Sequence, residues 1–269
     1  MTVTAILMVK DEADVIGYTL KYLLTQEIDS IIISDNLSSD TTMDIVKDIK
    51  SVSPIPIELR VDNEVAYFQS KKMTSLAHEA ASLFNPEWII PLDADELVYS
   101  TDGRTIGAVL RSEEKEILNM PWWFHYSTEL DDPREPNPYL RMKWRIKDRS
   151  VLGKVAYRYK KELVVAQGNH NVLNEQGSPV WGGESTLNSK HFPHRSVRQF
   201  VRKIINGGKA YEIAGDKIPE SFGVAWRLYY KHYLATGVEG LKDHYMKHFV
   251  IKDPENDGQY VHDPAPYKE

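Results

Sequence analysis

The sequence has no cysteine among its 269 residues, which excludes disulfide frameworks, thiol catalysis and cysteine-type zinc sites. It also has no apolar run near the ~20 residues that a membrane helix needs. Its first nine residues reach Lys10-Asp11-Glu12 with neither a basic region nor a long apolar stretch before them. We therefore expect no membrane span and no secretory signal, and a cytoplasmic location.

Basic residues are scarcer than acidic ones. The 33 Lys and Arg stand against 39 Asp and Glu, which gives a formal net charge of −6. Proteins whose main contacts are to nucleic-acid phosphates need a basic surface, so this charge disfavours that class. Hydrophobic residues make up 42% and charged residues 27%, which is typical of a globular protein that buries a sizeable core.

Several signatures of familiar enzyme families are missing. The sequence contains no G-x-G-x-x-G, no G-x-x-x-x-G-K-[ST], no H-E-x-x-H and no G-x-S-x-G. Dehydrogenase, P-loop, zincin and hydrolase-elbow interpretations therefore have no motif to support them.

Strand and helix patterns alternate over the first hundred residues. Short apolar runs predict strands at 3–9, 29–34 and 88–92, and a further strand is predicted at 57–61. Between them, apolar residues at helical spacing predict helices that begin near Val15, Met43 and Phe68. This alternation predicts a parallel sheet with helices on its faces.

Acid-rich loops follow three of these strands, at residues 10–12, 35–40 and 93–96. Ligands of such sheets bind beyond the carboxyl ends of the strands, so the loops are expected to converge on one crevice. Asp93 and Asp95 project to the same side if the extended backbone continues, and Mg²⁺-like ions take one or two carboxylates together with substrate phosphates. The pair predicts a metal–diphosphate site, although the spacing alone also fits a solvated turn.

The pattern changes beyond residue 115. Short aromatic and β-branched stretches over 116–190 predict mixed or antiparallel strands, one of them at 139–146. Ser196 is predicted to cap a helix, and further helices are predicted at 222–235 and 238–250. The polar tail, rich in Asp, Pro and Gly, is predicted to be poorly ordered. The expected organisation is a single domain over 1–251, with parts at 1–115, 116–195 and 196–251, followed by the tail at 252–269.

At four motifs the chain resembles the GT-A nucleotide-sugar glycosyltransferases, in particular their family 2-like group. The motifs are Val9-Lys10-Asp11-Glu12, with Asp in place of the family's Asn; residues 33–41, which resemble its Asp-x-x-Ser-x-Asp-x-Thr loop; residues 88–96, which resemble its Asp-x-Asp-Glu strand end; and residues 190–196 with Gln199, Phe200 and Lys203. The resemblance covers roughly residues 1–210. It implies the α/β GT-A fold, with a Rossmann-like, mostly parallel central sheet flanked by helices, a mixed β region on the acceptor side and C-terminal helices.

The resemblance also implies roles for individual residues. Lys10, Asp11, Glu12 and Asp35 would contact the nucleoside, and Asp93 would face the ribose or the sugar and assist the metal. Asp95 would bind the Mn²⁺ or Mg²⁺ that bridges the diphosphate, with His191 completing the metal shell. Arg195 and Lys203 would stabilise the leaving diphosphate. The expected donor is a nucleoside-diphosphate sugar, and a UDP-sugar is favoured.

The catalytic base and the acceptor are less determined. A carboxylate within reach of the acceptor hydroxyl must act as base in an inverting enzyme, and we consider Glu184 first, then Asp131 or Asp132. Basic residues alternate along the predicted strand at 139–146 and beyond it, at Arg141, Lys143, Arg145, Lys147 and Arg149. They would share one face and suit an anionic acceptor. The acceptor itself, a glycan, polymer, protein or modified nucleobase, is left open.

The predicted function is therefore metal-dependent sugar transfer from a nucleotide donor, of the inverting, hexosyltransferase type. One alternative is a metal-dependent nucleotidyltransferase, which would usually bring a glycine-rich, basic N-terminal loop that residues 10–12 lack. The other is a non-catalytic sugar-binding protein on a GT-A fold. Intact Asp93, Asp95 and His191 disfavour that alternative.

Overall fold

The computed structural model describes residues 1–268. Its helices are α1 (Ile16–Leu24), α2 (Thr42–Val52), α3 (Gln69–Phe84), α4 (Ile106–Ser112), α5 (Pro138–Arg141), α6 (Val197–Ala214) and α7 (Val224–His248). Its strands are β1 (Val3–Val9), β2 (Ser30–Asp35), β3 (Ile57–Val61), β4 (Trp88–Leu92), β5 (Glu96–Ser100), β6 (Ile117–Met120), β7 (Trp122–Thr128), β8 (Trp144–Ile146), β9 (Lys154–Arg158), β10 (Val164–Val165), β11 (Val172–Leu173), β12 (Pro179–Val180), β13 (Gly183–Glu184), β14 (Leu187–His191), β15 (Val250–Ile251) and β16 (Tyr260–His262).

The central sheet has the strand order β13-β6-β9-β4-β1-β2-β3. Strand β9 runs antiparallel to β4 and β6, and the other pairings are parallel. The predicted α/β class with a mostly parallel sheet is confirmed. Because β1, β2 and β4 are neighbours that point the same way, the loops after them meet at one edge.

The alternation of side chains along β1 explains why both faces of the sheet are covered. Ala5 and Leu7 belong to the core that also contains residues of α1 and α2. Ile6, which points to the opposite face, belongs to the core formed with Met73 and Leu76 of α3. A strand that is apolar at every position is buried on both sides, so these helices enclose the sheet.

A second sheet, in the order β16-β8-β7-β14-β5, lies beyond β4 in the chain. Its strands β5 and β14 pair antiparallel, which sets His191 opposite Glu96, and β7 runs parallel to β14. Strands β10, β11 and β12 form a small antiparallel sheet. The mixed character predicted for 116–190 is confirmed, and the β5–β14 pairing carries the histidine motif to the acidic loop.

The helices after residue 195 pack on each other. Ser196 accepts a hydrogen bond from the Gln199 amide at 3.1 Å, as predicted for an N-cap. Phe200 and Ile204 of α6 pack with Leu241 and Tyr245 of α7. The two helices predicted after α6 form one element that is interrupted at Gly237, where φ is +72°.

Two expectations for the second half of the chain are corrected. Residues 138–141 form a helical turn, so the predicted strand shortens to β8. The basic residues do not form one stripe, because Arg141 donates to the Glu135 and Arg195 carbonyls while Arg145 pairs with Asp263 and covers the Trp123 ring. A capping turn at Asn137, with Pro138 after it, starts the helical turn.

The tail is also packed rather than free. Strand β16 pairs with β8, and Tyr267 is 9% exposed within the main core. The aromatic and acidic residues of this segment find partners that are distant in sequence, which its composition could not indicate. Among residues 1–268, no helix combines the length and the apolar character that crossing a membrane requires.

Candidate functional site

Arg195 ties together the loops that follow β1 and β4. Its guanidinium forms a bidentate pair with Asp14, with N···O distances of 2.8 and 2.9 Å, and also pairs with Glu12. It reaches Asp95 at 3.2 Å. The Arg195 side chain is fully buried, so three carboxylates balance a cation that is shielded from water. The predicted convergence of the first and third acidic loops is observed.

Asp95 is surrounded by positive and neutral nitrogen groups. Its Oδ2 atom pairs with Arg195 and Lys203, and its Oδ1 atom lies 3.4 Å from His191 Nε2. Burial opposes ionisation of Asp95, but Lys203, His191 and Arg195 outweigh it and hold the pKa of this carboxyl well below its usual range. Asp95 is therefore a fixed negative charge at neutral pH.

The other titratable groups around Asp95 respond to burial. Burial lowers the pKa of His191, against the pull of Asp95, so its imidazole is the neutral form that can bind a metal. Burial raises the pKa of Glu12 to about 7, although Arg195 and Lys203 act in the opposite direction. Asp14 keeps a lowered pKa, because Arg195 outweighs the effect of its burial.

The Asp95–His191 pair fits one divalent cation. Two ligand atoms about 2.1 Å from an octahedral ion and 90° apart lie roughly 3.0 Å from each other, close to the 3.4 Å observed. Arg195 and Lys203 pair with Oδ2, whereas His191 faces Oδ1. Within residues 1–268, no set of three His, Asp or Glu side chains is arranged around a common cation position. A cation here would thus need phosphate or water oxygens to complete its shell.

Asp93 belongs to a second cluster, centred on Lys154. The Lys154 Nζ atom lies 2.7 Å from Asp93 Oδ2, 2.7 Å from Glu96 Oε1 and 2.8 Å from the Gly168 carbonyl. The Asp93 Oδ1 atom accepts hydrogen bonds from the side-chain amides of Gln69 and Asn169. This arrangement directs the Asp93 carboxylate toward Lys154 rather than toward the Asp95–His191 pair.

Lys154 and Glu96 are both buried, with side-chain exposures of 1% and 0%. Burial raises the pKa of Glu96 to about 8, with Lys154 acting against it. Burial disfavours the charge on Lys154, but Asp93 and Glu96 outweigh it and raise the pKa of this lysine. At neutral pH Lys154 is therefore charged and Glu96 is largely protonated.

Aromatic rings line the space between the two clusters. The Trp122 ring stacks on His191 at 4.7 Å between centroids, and it lies 5.2 Å from His170. Lys154 Nζ lies 4.7 Å from the same ring. Aromatic faces of this kind hold imidazoles and sugar rings in place by stacking.

The loops after β1 and β2 are locked to each other and to α6. Asp11 Oδ1 accepts from the Ser39 amide, Asp11 Oδ2 accepts from Asn206, and Lys10 donates to the Leu37 carbonyl. Asp11 and Leu37 have φ values of 55° and 58°, the left-handed region that L-residues avoid. Such strain costs of order 1–3 kcal/mol and is found mainly where function requires a particular backbone path.

Asp35 lies at the end of β2, as expected for the second acidic loop. It is buried, and its carboxylate accepts from the Ser38 amide. The next residue, Asn36, donates to Asp62 and to the Glu64 carbonyl after β3. The ends of β1, β2 and β3 thus form one polar surface beside the Asp95 cluster.

The acids considered as a catalytic base lie at different places. Glu184 is exposed on the edge strand β13, where Lys115 donates to its carbonyl. Strand β13 is the outer strand of the central sheet, and β6 and β9 separate it from β4, so Glu184 does not join the cluster. Asp131 follows β7, accepts from the Thr128 amide and hydroxyl, and has a pKa raised by burial. Asp132 is exposed and pairs with Arg134.

Sequence reasoning missed several members of the site. None of the motifs indicates Asp14, Lys154, Gln69 or Asn169. Asn169 has a φ of 59°, and its position in Gly168-Asn169-His170-Asn171 was the available signal, because Gly and Asn favour the left-handed region. Lys154 gave no such signal, since a lysine that flanks an apolar strand is usually solvated.

No protein-family model and no curated protein matches the chain. Solved structures resemble it in fold. The crystal structure of S. aureus TarS 1-349 aligns with 90% of this chain and 80% of its own, with a TM-score of 0.42 and 10% identity. The same protein in complex with UDP gives a TM-score of 0.41.

Two further similar structures are synthases. Mannosyl-3-phosphoglycerate synthase from Rubrobacter xylanophilus aligns with 50% of this chain and 43% of its own, with a TM-score of 0.32 and 20% identity. Glucosyl-3-phosphoglycerate synthase from Mycobacterium tuberculosis, in complex with Mn²⁺, UDP and glucosyl-3-phosphoglycerate, aligns with 58% and 56%, with a TM-score of 0.31 and 13% identity. These neighbours are GT-A-type glycosyltransferases, and the chain is similar to them in fold at TM-scores below 0.5.

Proposed function

We propose that this protein is a glycosyltransferase that moves a hexose from a nucleoside-diphosphate sugar to an acceptor hydroxyl. The observation that supports this most is the pairing of Asp95 Oδ1 with the neutral His191 at 3.4 Å, next to Arg195 and Lys203 on Oδ2. One side of Asp95 thus offers hard ligands to a cation, and the other side carries Lys203, a partly exposed cation that attracts an anion. A metal-bound diphosphate has both charges.

The nucleoside is assigned to the neighbouring loops. The ends of β1 and β2 carry Asp11 and Asp35, which are buried, and their carboxylates can accept from ribose hydroxyls or from the N–H groups of a base. The strained backbone at Asp11 and Leu37 supports a binding role for this surface. A UDP-sugar is the donor that we favour.

The chemistry requires that charge on the departing diphosphate be neutralised. A divalent cation held by Asp95 and His191 would supply Lewis-acid stabilisation of that charge when it is bound. Arg195 is fully buried and all its N–H groups have protein acceptors, so its part is to hold Asp95 in place. Lys203 keeps 18% side-chain exposure and is fixed by its ion pair with Asp95, so its ammonium needs no reorganisation as the negative charge grows. Preorganised donors of this kind contribute in the transition state, where the sugar has oxocarbenium character.

Asp93 and Asp131 complete the proposal. Asp93, held by Lys154, Gln69 and Asn169, is assigned to a hydroxyl of the donor sugar or the ribose.

Of the three acids considered as the catalytic base, Asp131 fits best. Burial raises its pKa, which strengthens it as a proton acceptor, and the Ser127 hydroxyl of the same strand end donates to the His194 carbonyl beside Arg195. A base on the face opposite the leaving group would give inversion.

The test measures release of nucleoside diphosphate from UDP-, GDP- and dTDP-hexoses, with and without Mn²⁺. We expect Mn²⁺-dependent turnover of one donor, and a loss of about 100-fold in Asp95→Asn. Asp257→Asn, at an exposed acid outside the cluster, is the matched control and should keep full activity. Release of pyrophosphate from a nucleoside triphosphate and a sugar phosphate would instead indicate a nucleotidyltransferase. Binding of free glycans without any nucleotide effect would indicate a sugar-binding protein.

A further inference from the structure

The C-terminal segment 260–267, named here the C-terminal strap, contacts Lys190 and Tyr139, which adjoin the Asp95–His191 pair. It begins as β16, which extends the second sheet by pairing with β8. Its later residues leave the sheet edge and enter the main core, where Tyr267 is 9% exposed. The strap therefore spans from the outer strand of that sheet to the helix layer of the central sheet.

The first contact of the strap is with the residue before His191. Lys190 is buried with 1% side-chain exposure, and its Nζ atom lies 2.6 Å from Asp263 Oδ1 and 3.0 Å from the Asp263 carbonyl. Asp263 Oδ2 pairs with Arg145 of β8 at 2.6 Å. A lysine without its carboxylate at such depth would be an uncompensated buried charge. The strap thus fixes β14 at the position next to the imidazole.

The second contact is with the backbone between the two aspartates. The Tyr267 ring lies 5.7 Å from Tyr139, whose hydroxyl is 3.3 Å from the Ala94 carbonyl and 2.7 Å from the Thr19 hydroxyl. Tyr139 also contacts Phe192 edge-on at 4.8 Å. Phe192 follows His191 and donates its amide to the Asp95 carbonyl at 2.9 Å. Tyr139 therefore connects Tyr267 to Ala94, which precedes Asp95, and to Phe192, which follows His191.

We infer that Asp263 and Tyr267 are positioning residues, which hold Asp95 and His191 at the separation that a divalent cation requires. The inference rests on the proposed function, because it assigns the strap to the cation site of that function. Neither residue contacts Asp95 or His191 directly. They act through Lys190 on one side and Tyr139 on the other. Outer partners of metal ligands typically change metal affinity by 10–100-fold when they are removed.

The experiment measures two affinities of the full chain, that for Mn²⁺ with saturating UDP and that for UDP without metal. We expect Asp263→Asn to weaken Mn²⁺ binding by about 10-fold and to change metal-free UDP binding less than about twofold. The control Asp257→Asn, at an exposed acid just before the strap, should leave both affinities unchanged. A merely structural role of Asp263 would weaken both affinities together.

Four results would contradict either the inference or the proposed function. Mn²⁺ affinity of a folded Asp263→Asn within twofold of the wild type would overturn the inference, as would equal losses for Mn²⁺ and UDP. If that variant does not fold, the pair Lys190→Met with Asp263→Asn removes the buried charge together with its partner. This double variant should still bind Mn²⁺ about 10-fold more weakly, and wild-type affinity would overturn the inference. Failure of the wild-type protein to bind Mn²⁺ with UDP would contradict the proposed function instead.

Discussion

Replacing Lys154 by methionine tests the second cluster most sharply. The substitution keeps an unbranched side chain of similar length. It removes the ammonium group, which contacts the carboxylates of Asp93 and Glu96 and the Gly168 carbonyl. Removing one partner of a buried ion pair usually costs about 3–5 kcal/mol, because it leaves a charge without compensation. The structure decides where in this range the variant should fall.

Two features favour the lower end. The Asp93 side chain keeps 29% exposure, so water can hydrate its charge once Lys154 is gone. Burial raises the pKa of Glu96 to about 8, so at pH 7 this acid is mostly neutral and does not become a second stranded charge. We therefore expect Lys154→Met to lower the free energy of unfolding by about 3 kcal/mol at pH 7. Glu96→Gln, which resembles the protonated acid, should lose less than about 1 kcal/mol.

The assay is urea unfolding of the three proteins at pH 7, followed by circular dichroism and by tryptophan fluorescence. Unchanged slopes would show that the variants differ in stability and not in the extent of unfolding. The loss in Lys154→Met should grow above pH 8. In the wild type Glu96 ionises beside Lys154 near that pH, whereas without Lys154 its pKa is higher still, so folding of the variant continues to require protonation of this acid as the pH rises. A loss below about 1 kcal/mol in Lys154→Met, or an equal loss in Glu96→Gln, would refute this account of the cluster.

Two further predictions concern the base and a buried histidine. Asp131→Asn should lower kcat by about 100-fold, whereas Asp132→Asn should not; equal rates for both variants would exclude Asp131 as the base. Burial lowers the pKa of His125 to about 3. Below pH 6.5 the unfolded chain therefore binds a proton at this histidine, whereas the folded protein does not. The free energy of unfolding that is present above pH 6.5 is lost as the pH falls toward 3. This residue should contribute a slope of up to about 1.4 kcal/mol per pH unit, which His125→Phe should remove from the stability measured between pH 5 and 6.5. An unchanged slope would contradict the burial of a neutral imidazole.

The first half of the fold follows from local sequence signals. The expected strands at 3–9, 57–61 and 88–92 match β1, β3 and β4. The first and last of these are short apolar runs that end at charged residues, and the one at 57–61 alternates apolar with charged residues. The three acidic loops follow β1, β2 and β4, which run parallel, so the convergence of Glu12 with Asp95 at one edge could be predicted. The positions of these loops along the sequence can be identified without knowing which distant residues pack together.

The rest of the site depends on contacts between distant residues. Lys154 meets Asp93 because β9 runs antiparallel beside β4, and strand order is not encoded near either residue. The C-terminal strap looks disordered by composition, yet Asp263 is held by Lys190, and Tyr267 by rings of the core. Compositional rules count Asp, Pro and Gly but do not detect a buried lysine elsewhere that needs a carboxylate.

The central claim is that Asp95 and His191 together hold a divalent cation against a nucleoside diphosphate. Anomalous diffraction at the manganese edge, from crystals grown with Mn²⁺ and UDP, tests it directly. We expect one anomalous peak within about 2.3 Å of both Asp95 Oδ1 and His191 Nε2, in contact with phosphate oxygens. Bound UDP with no peak between these two side chains, or a peak at another place, would contradict the claim.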